Sequence, residues 1–196
     1  MEILANGNIL IKKDFLSKEE CQTITKWMND FNYADLPKHE VTFWQKRLIR
    51  NDDTTTLPGY EKSFDDVNVI LNNIKKRTLE VLKTYEENDW ELKELNCIKM
   101  WNGSHPFPER ENQHIEMFYH TDNQELNGYG REVFWGAVIY PNSNYLGGQI
   151  HYPKYNFKYK PEEGSVVFHR GNVRHGVLAM IEGNRYSLAS TIYKKD

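Results

Sequence analysis

The hydrophobic period of this chain changes at Trp90, from 3.6 residues to 2, and that change limits the folds open to it. Before Trp90 the apolar residues fall on helical stripes. Phe15-Leu16 leads to Ser17, with Glu20 three residues on, which is a capping box with Leu16 as its staple residue. The stripe that follows is Cys21, Ile24, Met28 and Phe31. A longer helix is expected from Ser63, with Asp66 at its third position. Its stripe runs through Val67, Ile70, Leu71, Ile74, Thr78, Val81, Leu82 and Tyr85. Ile9 to Ile11 reads as a short first strand, 41–49 as another, and 51–59 as turn chemistry ending in Leu57-Pro58-Gly59.

After Trp90, Leu95, Cys97, Lys99 and Trp101 alternate with Asn96, Ile98 and Met100, as on a strand. Residues 102–113 hold two prolines, a glycine and mixed charges and read as a loop. Strands are expected over 115–122, 133–140, 147–152, 165–168, 173–180 and 185–193, divided by turns at 141–144 and 161–164. Two helices followed by about eight short strands predict an α+β, mainly β chain. The architecture expected is a double-stranded β-helix, or jelly roll, with two packed N-terminal helices. The chain reads as one domain, 1–196, with a helical support region over 1–90 and the β-helix core over 91–196.

Composition excludes several classes. Hydrophobic residues are 39% and aromatics 13% of 196, too many for a disordered chain. A net charge of -3 leaves no nucleic-acid footprint. The basic run Lys75-Lys76-Arg77 falls within a helical pattern and reads as a solvated face. Cys21 and Cys97 sit at apolar-periodic positions and read as buried free thiols, which points to a reducing compartment. No apolar run approaches the ~18 residues of a membrane span. Met1-Glu2 lacks the basic start of a signal peptide. A soluble, cytoplasmic protein with no membrane partner is the expectation.

The chemistry lies between residues 120 and 187. On an extended strand residues two apart share a face, so His120 and Asp122 of His120-Thr121-Asp122 aim at one point. Seven His among 196 residues make His-x-Asp cheap by chance, about 0.35 pairs, so the pair needs its context. His175, followed by Gly176, supplies a second imidazole. Two imidazoles and one carboxylate form the facial triad that holds non-haem Fe(II) and leaves positions open. Ten residues beyond His175, Arg185 and Ser187 share a strand face with Ala189, Thr191 and Tyr193, while Tyr186, Leu188 and Ile192 take the core face. An inward arginine is costly without an anion, so Arg185 with Ser187 reads as a carboxylate receptor. The alternative is a structural ion pair with Glu182 or another neighbour. Gln149, His151 and His169 are expected to face inward, as supports of the ligands, as substrate contacts or as structural residues.

These segments resemble the 2-oxoglutarate and Fe(II)-dependent dioxygenases, within them the prolyl 4-hydroxylase-like group. The resemblance is carried by Asp14-Phe15-Leu16-Ser17, His120-Thr121-Asp122, Tyr140-Pro141-Asn142, Gly147-Gly148-Gln149-Ile150, the run from Pro161 to His169, His175-Gly176-Val177 and Gly183-Asn184-Arg185-Tyr186-Ser187-Leu188. It implies Fe(II) on His120, Asp122 and His175, and 2-oxoglutarate with its far carboxylate on Arg185 and Ser187. Trp101 stands near the place of a tyrosine that helps hold 2-oxoglutarate in the family, and its indole N–H is a donor. The implied reaction consumes O2 and 2-oxoglutarate, releases succinate and CO2, and hydroxylates an unactivated C–H, with ascorbate as a candidate reductant. A prolyl residue of a peptide or protein is the substrate the family suggests. Collagen-type members carry lysine where this chain has Arg185, which leaves a free amino acid or another small molecule beside it. A different class also remains: a non-catalytic, cupin-like protein that binds a metal or small molecule. The inward arginine argues against it, because a plain metal site needs no dicarboxylate receptor.

Overall fold

The computed structural model describes residues 1–30, 46–50, 65–92, 95–101, 119–123 and 131–195. In chain order the elements are β1 (Glu2–Leu4), β2 (Ile9–Lys12), α1 (Lys18–Asp30), β3 (Lys46–Arg50), α2 (Asp65–Tyr85), β4 (Trp90–Leu92), β5 (Asn96–Trp101), β6 (Trp135–Tyr140), β7 (Leu146–Gly147), β8 (Ile150–Tyr152), β9 (Phe157–Tyr159), β10 (Ser165–Arg170), β11 (Gly176–Val177), β12 (Met180–Glu182) and β13 (Asn184–Lys194). The Ser63–Asp66 cap, Phe31, residues 41–45, the turn at 51–59, the loop at 102–113 and residues 115–118 lie outside the described residues.

The capping box forms as read. Glu20 N–H donates to Ser17 Oγ at 3.1 Å, and Ser17 N–H donates to the Glu20 carboxylate at 2.9 Å. The cap is worth about 1 kcal/mol. The stripe it launches decides more: Cys21, Ile24 and Met28 are buried, and each large apolar side chain fully buried contributes roughly 1.5–3 kcal/mol. Arg77, expected with its neighbours on a solvated face, instead reaches from α2 to Glu20 at 2.9 and 3.0 Å and lies over the Phe15 ring. It joins the two helices.

Most strands form a sheet in the order β1-β2-β10-β6-β13-β5-β3, with β4 following β5 along the same edge of β13. Alternation divides its two faces. Leu10, Val166, Phe168, Ile139, Leu188 and Cys97 pack toward α1 and α2 in the larger core. Ile9, Ile11, Val167 and Tyr140 point the other way and meet Ile150, Tyr152 and Val173 in a second core. A three-stranded sheet, β11-β8-β9, and a two-stranded one, β12-β7, cover that inner face. This is the double-stranded β-helix with two helices packed on its outside. Among the described residues no helix is long and apolar enough to cross a membrane.

Two expected strands are each broken in two. The run 147–152 divides at Gly147 and Gly148, both at positive φ, 78° and 63°. A Cβ on Gly147 would lie 2.2 Å from the Ala179 carbonyl oxygen, so only glycine lets the chain pass there. β7 consequently pairs with β12 while β8 pairs with β11 and β9. The run 173–180 divides along with its partner, into β11 against β8 and β12 against β7. β1 and β9 were not expected; each forms by pairing with an adjacent strand, β1 with β2 and β9 with β8.

Candidate active site

The expected strand at 115–122 ends differently from its pattern. His120 makes an isolated antiparallel bridge to His175, and Asp122 sits in the turn beyond it. Each histidine donates its backbone N–H to the other's carbonyl at 3.0 Å. That reciprocal pair sets the two imidazoles side by side, with ring centroids 4.5 Å apart. The turn is pinned on both sides. Asn123 N–H donates to the Gly171 carbonyl at 3.2 Å, and Asn123 Oδ1 accepts the Val133 N–H at 2.6 Å.

The ligand atoms of His120, Asp122 and His175 all lie within 4.8 Å of one another. Asp122 Oδ1 is 3.8 Å from His120 Nε2 and 3.9 Å from His175 Nε2. These spacings are too long for hydrogen bonds and short enough for one ion to bridge. His175 Nδ1 lies 3.0 Å from the Val173 carbonyl. A carbonyl only accepts, so Nδ1 carries the hydrogen and Nε2 presents its lone pair toward Asp122. Burial, aided by the neighbouring His169, lowers the His175 pKa to about 3 and keeps it neutral. Burial works against the Asp122 charge, but the His169 hydrogen bond and the surrounding imidazoles outweigh it and hold its pKa at about 2. At neutral pH the site therefore offers a carboxylate and an unprotonated buried imidazole, as a divalent metal requires. His120 is 40% exposed at its side chain and marks the open side.

Arg185 lies on the inner face of β13 and is 2% exposed. Its Nη1 donates to Ser187 Oγ at 3.1 Å and approaches Met100 Sδ at 3.4 Å, and its Nη2 donates to the Tyr140 hydroxyl at 3.4 Å. Among the described residues its buried Nε has no partner, and neither do the hydroxyls of Tyr145 and Tyr159. Among the described residues no carboxylate pairs with Arg185, and Glu182 is exposed on β12, so the structural ion pair is not formed. Burial pushes Tyr140 up to about 12 and raises Tyr145, against the pull of Arg185 on both. The Tyr140 and Tyr145 hydroxyls therefore keep their hydrogens. A buried cation ringed by unsatisfied donors is a cradle for an anion of carboxylate size.

The remaining expected residues divide. His169 is buried on the inner face of β10 and bonds Asp122 Oδ2 through Nε2 at 3.0 Å. His151 does not face inward: Ile150 and Tyr152 take the inner positions of β8, and His151 turns to the outside against the Tyr119 hydroxyl. Gln149 lies between strands, where its carbonyl accepts the Leu178 N–H at 2.9 Å. The Trp101 side chain lies outside the described residues; its backbone pairs with Asn184, and the residue paired with Arg185 is Met100. Sequence reasoning missed Met100, Tyr140, Tyr145 and Tyr159. Tyr140 was within reach, since Gly136, Val138 and Tyr140 alternate inward on β6.

No family model matches this chain, and no curated protein matches it by sequence. Its fold does match solved structures. A viral collagen prolyl hydroxylase from Paramecium bursaria Chlorella virus-1, solved with 2-oxoglutarate, superposes with a TM-score of 0.67 at 13% identity, covering 97% of this chain and 98% of that one. A prolyl-4-hydroxylase from Pseudomonas putida gives 0.58 at 14%, covering 98% and 95%. HygX from Streptomyces hygroscopicus, with nickel and 2-oxoglutarate bound, gives 0.59 at 12%, covering 96% and 83%.

Proposed function

We propose that this protein is an Fe(II)- and 2-oxoglutarate-dependent dioxygenase that hydroxylates an unactivated C–H. The observation that carries the reading is Arg185: a buried guanidinium whose Nε has no partner among the described residues, on the inner strand face in a chain that also carries a His/Asp/His cluster. A metal site alone accounts for the cluster. Only an anionic co-substrate accounts for both. That solved structures of this fold include one with 2-oxoglutarate and one with nickel and 2-oxoglutarate supports the same assignment.

His120, Asp122 and His175 would hold the iron. Arg185, Ser187 and Tyr140 would bind the far carboxylate of 2-oxoglutarate, with Trp101 a further candidate donor. When bound, iron and 2-oxoglutarate supply O2 activation coupled to decarboxylation, leaving succinate and CO2 and placing one oxygen atom on the substrate. The chain's own work is to orient and to exclude water. The Val173 carbonyl fixes the His175 tautomer, so no proton need leave that ring on metal binding. The burial of His175 and Arg185 keeps the inner side of the site dry, and half-exposed His120 faces the side from which substrate and O2 arrive. Ascorbate is a candidate reductant.

For the substrate we infer a prolyl residue in a peptide or protein. The names of two similar structures support it, one a collagen prolyl hydroxylase and one a prolyl-4-hydroxylase. The test has two steps. Anaerobic Fe(II) protein is titrated with 2-oxoglutarate, with a metal-to-ligand charge-transfer absorption expected. Succinate release in air is then compared between proline-containing peptides, free amino acids and no substrate. No absorption and no succinate would overturn the enzyme assignment; turnover stimulated by a free amino acid and not by peptides would overturn only the peptidyl substrate.

A further inference from the structure

We infer that His169 is a positioning residue that commits one oxygen of Asp122 and leaves the other to the metal, as the middle member of a Tyr152–His169–Asp122 chain. The inference rests on the metal-site reading above.

Asp122 has two oxygens with different surroundings. Oδ1 faces His120 Nε2 and His175 Nε2 at 3.8 and 3.9 Å. Oδ2 is held by His169 Nε2 at 3.0 Å. His169 is itself held, with the Tyr152 hydroxyl 3.1 Å from its Nδ1. Tyr152 is fully buried, and burial raises its pKa well above 10, so its hydroxyl keeps its hydrogen. The hydroxyl therefore donates to Nδ1, which leaves the ring hydrogen on Nε2, directed at Oδ2. One ring hydrogen, on Nε2, satisfies both bonds.

The fold makes room for this contact. His169 pairs with Gly136 across β10 and β6. A Cβ on Gly136 would lie 2.3 Å from Asp122 Oδ2 and 2.4 Å from His169 Nε2, so the bond runs directly over a glycine. His169 also lies against His175, ring centroids 3.9 Å apart, yet the three-residue ligand cluster does not include it. Its one ring hydrogen is spent on the carboxylate. With Oδ2 engaged by His169, Oδ1 is the oxygen that would be left facing the metal.

The experiment compares Mn(II) affinity of chelator-stripped protein, read from the loss of the free Mn(II) EPR signal, for the wild type, His169→Leu and His169→Gln. Supporting bonds of this kind are worth about 10–100-fold in metal affinity. His169→Leu is expected to weaken Mn(II) binding by that factor. His169→Gln, whose amide can still donate to Oδ2, is expected to return within a few-fold of wild type. Equal binding by wild type and His169→Leu would overturn this inference and leave the metal site standing. A glutamine variant as weak as the leucine variant would also overturn it, because the position would then act through packing. A wild type that binds no Mn(II), with or without 2-oxoglutarate, would overturn the metal site and this inference together.

Discussion

The proposed carboxylate receptor and the proposed metal cluster stand on opposite kinds of backbone. Arg185 and Ser187 lie on β13, eleven residues long, where the β5 ladder runs unbroken from Asn184 to Ala189 and β6 takes the other edge from Leu188 on, so a hydrogen-bond ladder fixes where their side chains point. The metal cluster hangs on one isolated bridge and a turn. Its geometry is fixed by individual bonds: Asn123 to Val133, His175 to Val173, His169 to Asp122. The difference has a consequence for mutation. The receptor should change only when its own side chains change, while the cluster should respond to losses among its supports.

The strongest way to break this comparison is to cross the two halves. Removing one partner of a buried, hydrogen-bonded charge pair costs about 2–5 kcal/mol, roughly 30- to several-thousand-fold. Arg185→Ala should weaken 2-oxoglutarate binding by that much and leave Mn(II) affinity within a few-fold. His175→Ala should abolish tight Mn(II) binding. Calorimetric titration of each ligand into each variant measures both, and loss of metal affinity in Arg185→Ala would merge the two halves into one unit.

Two glycine substitutions repeat the cross with milder force. Gly136→Ala drives a methyl into Asp122 Oδ2 and His169 Nε2, so metal affinity should fall about 10–100-fold. Gly148→Ala, at φ 63°, meets Met180 Sδ at 2.6 Å and Arg185 Cδ at 2.9 Å, so the loss should fall on 2-oxoglutarate instead. The same titrations apply, with thermal unfolding as the control for global damage.

What could be read in the sequence follows the same division. Arg185, Ser187 and their apolar alternates were legible because Tyr186, Leu188 and Ile192 alternate with Arg185, Ser187 and Thr191 along β13. His120, Asp122 and His175 were legible as residue types, but the strand imagined under them is a bridge and a turn, held by contacts from residues 133, 171 and 173 that no local pattern announces. The inward reading of His151 failed because Ile150 and Tyr152 had the stronger claim to the core. Tyr145 and Tyr159 were invisible because Tyr145 nears Arg185, and Tyr159 nears Tyr140 and Tyr145, only in three dimensions.

Acid titration of the metal-free protein separates the halves by charge. The unfolded chain takes up a proton on His175 near its ordinary pKa of 6.5, while the folded protein resists until about 3. The unfolded state therefore binds more protons below pH 6.5, and stability falls as pH drops through that window. Asp122 acts only lower, between its ordinary 3.8 and about 2, where protonation removes the stability its folded charge supplies. Between pH 6.5 and 4 the slope attributable to His175 amounts to a few kcal/mol. Urea unfolding across that range should show the slope in the wild type and in Arg185→Ala and a flatter one in His175→Gln. An equal slope in His175→Gln would remove the burial argument.

The smallest expected effect is the sharpest test of the receptor, because its two readouts have opposite signs. Among the described residues the buried Tyr145 and Tyr159 hydroxyls have no partners, and an unmet buried hydroxyl costs about 1–3 kcal/mol. Arg185 acts on Tyr145 electrostatically, yet no hydrogen bond of normal geometry reaches that hydroxyl. Tyr145→Phe and Tyr159→Phe should therefore leave the ligand-free protein as stable as wild type or slightly more so. If the hydroxyls are donors waiting for the far carboxylate, the same substitutions should weaken 2-oxoglutarate binding by about 10- to 100-fold each, the worth of a hydrogen bond to a charged group. A packing role predicts a different pair of results: lower stability and unchanged binding. Thermal unfolding without ligand and calorimetric titration with 2-oxoglutarate, run on the same preparations, separate the two, since the receptor reading requires stability and affinity to move apart.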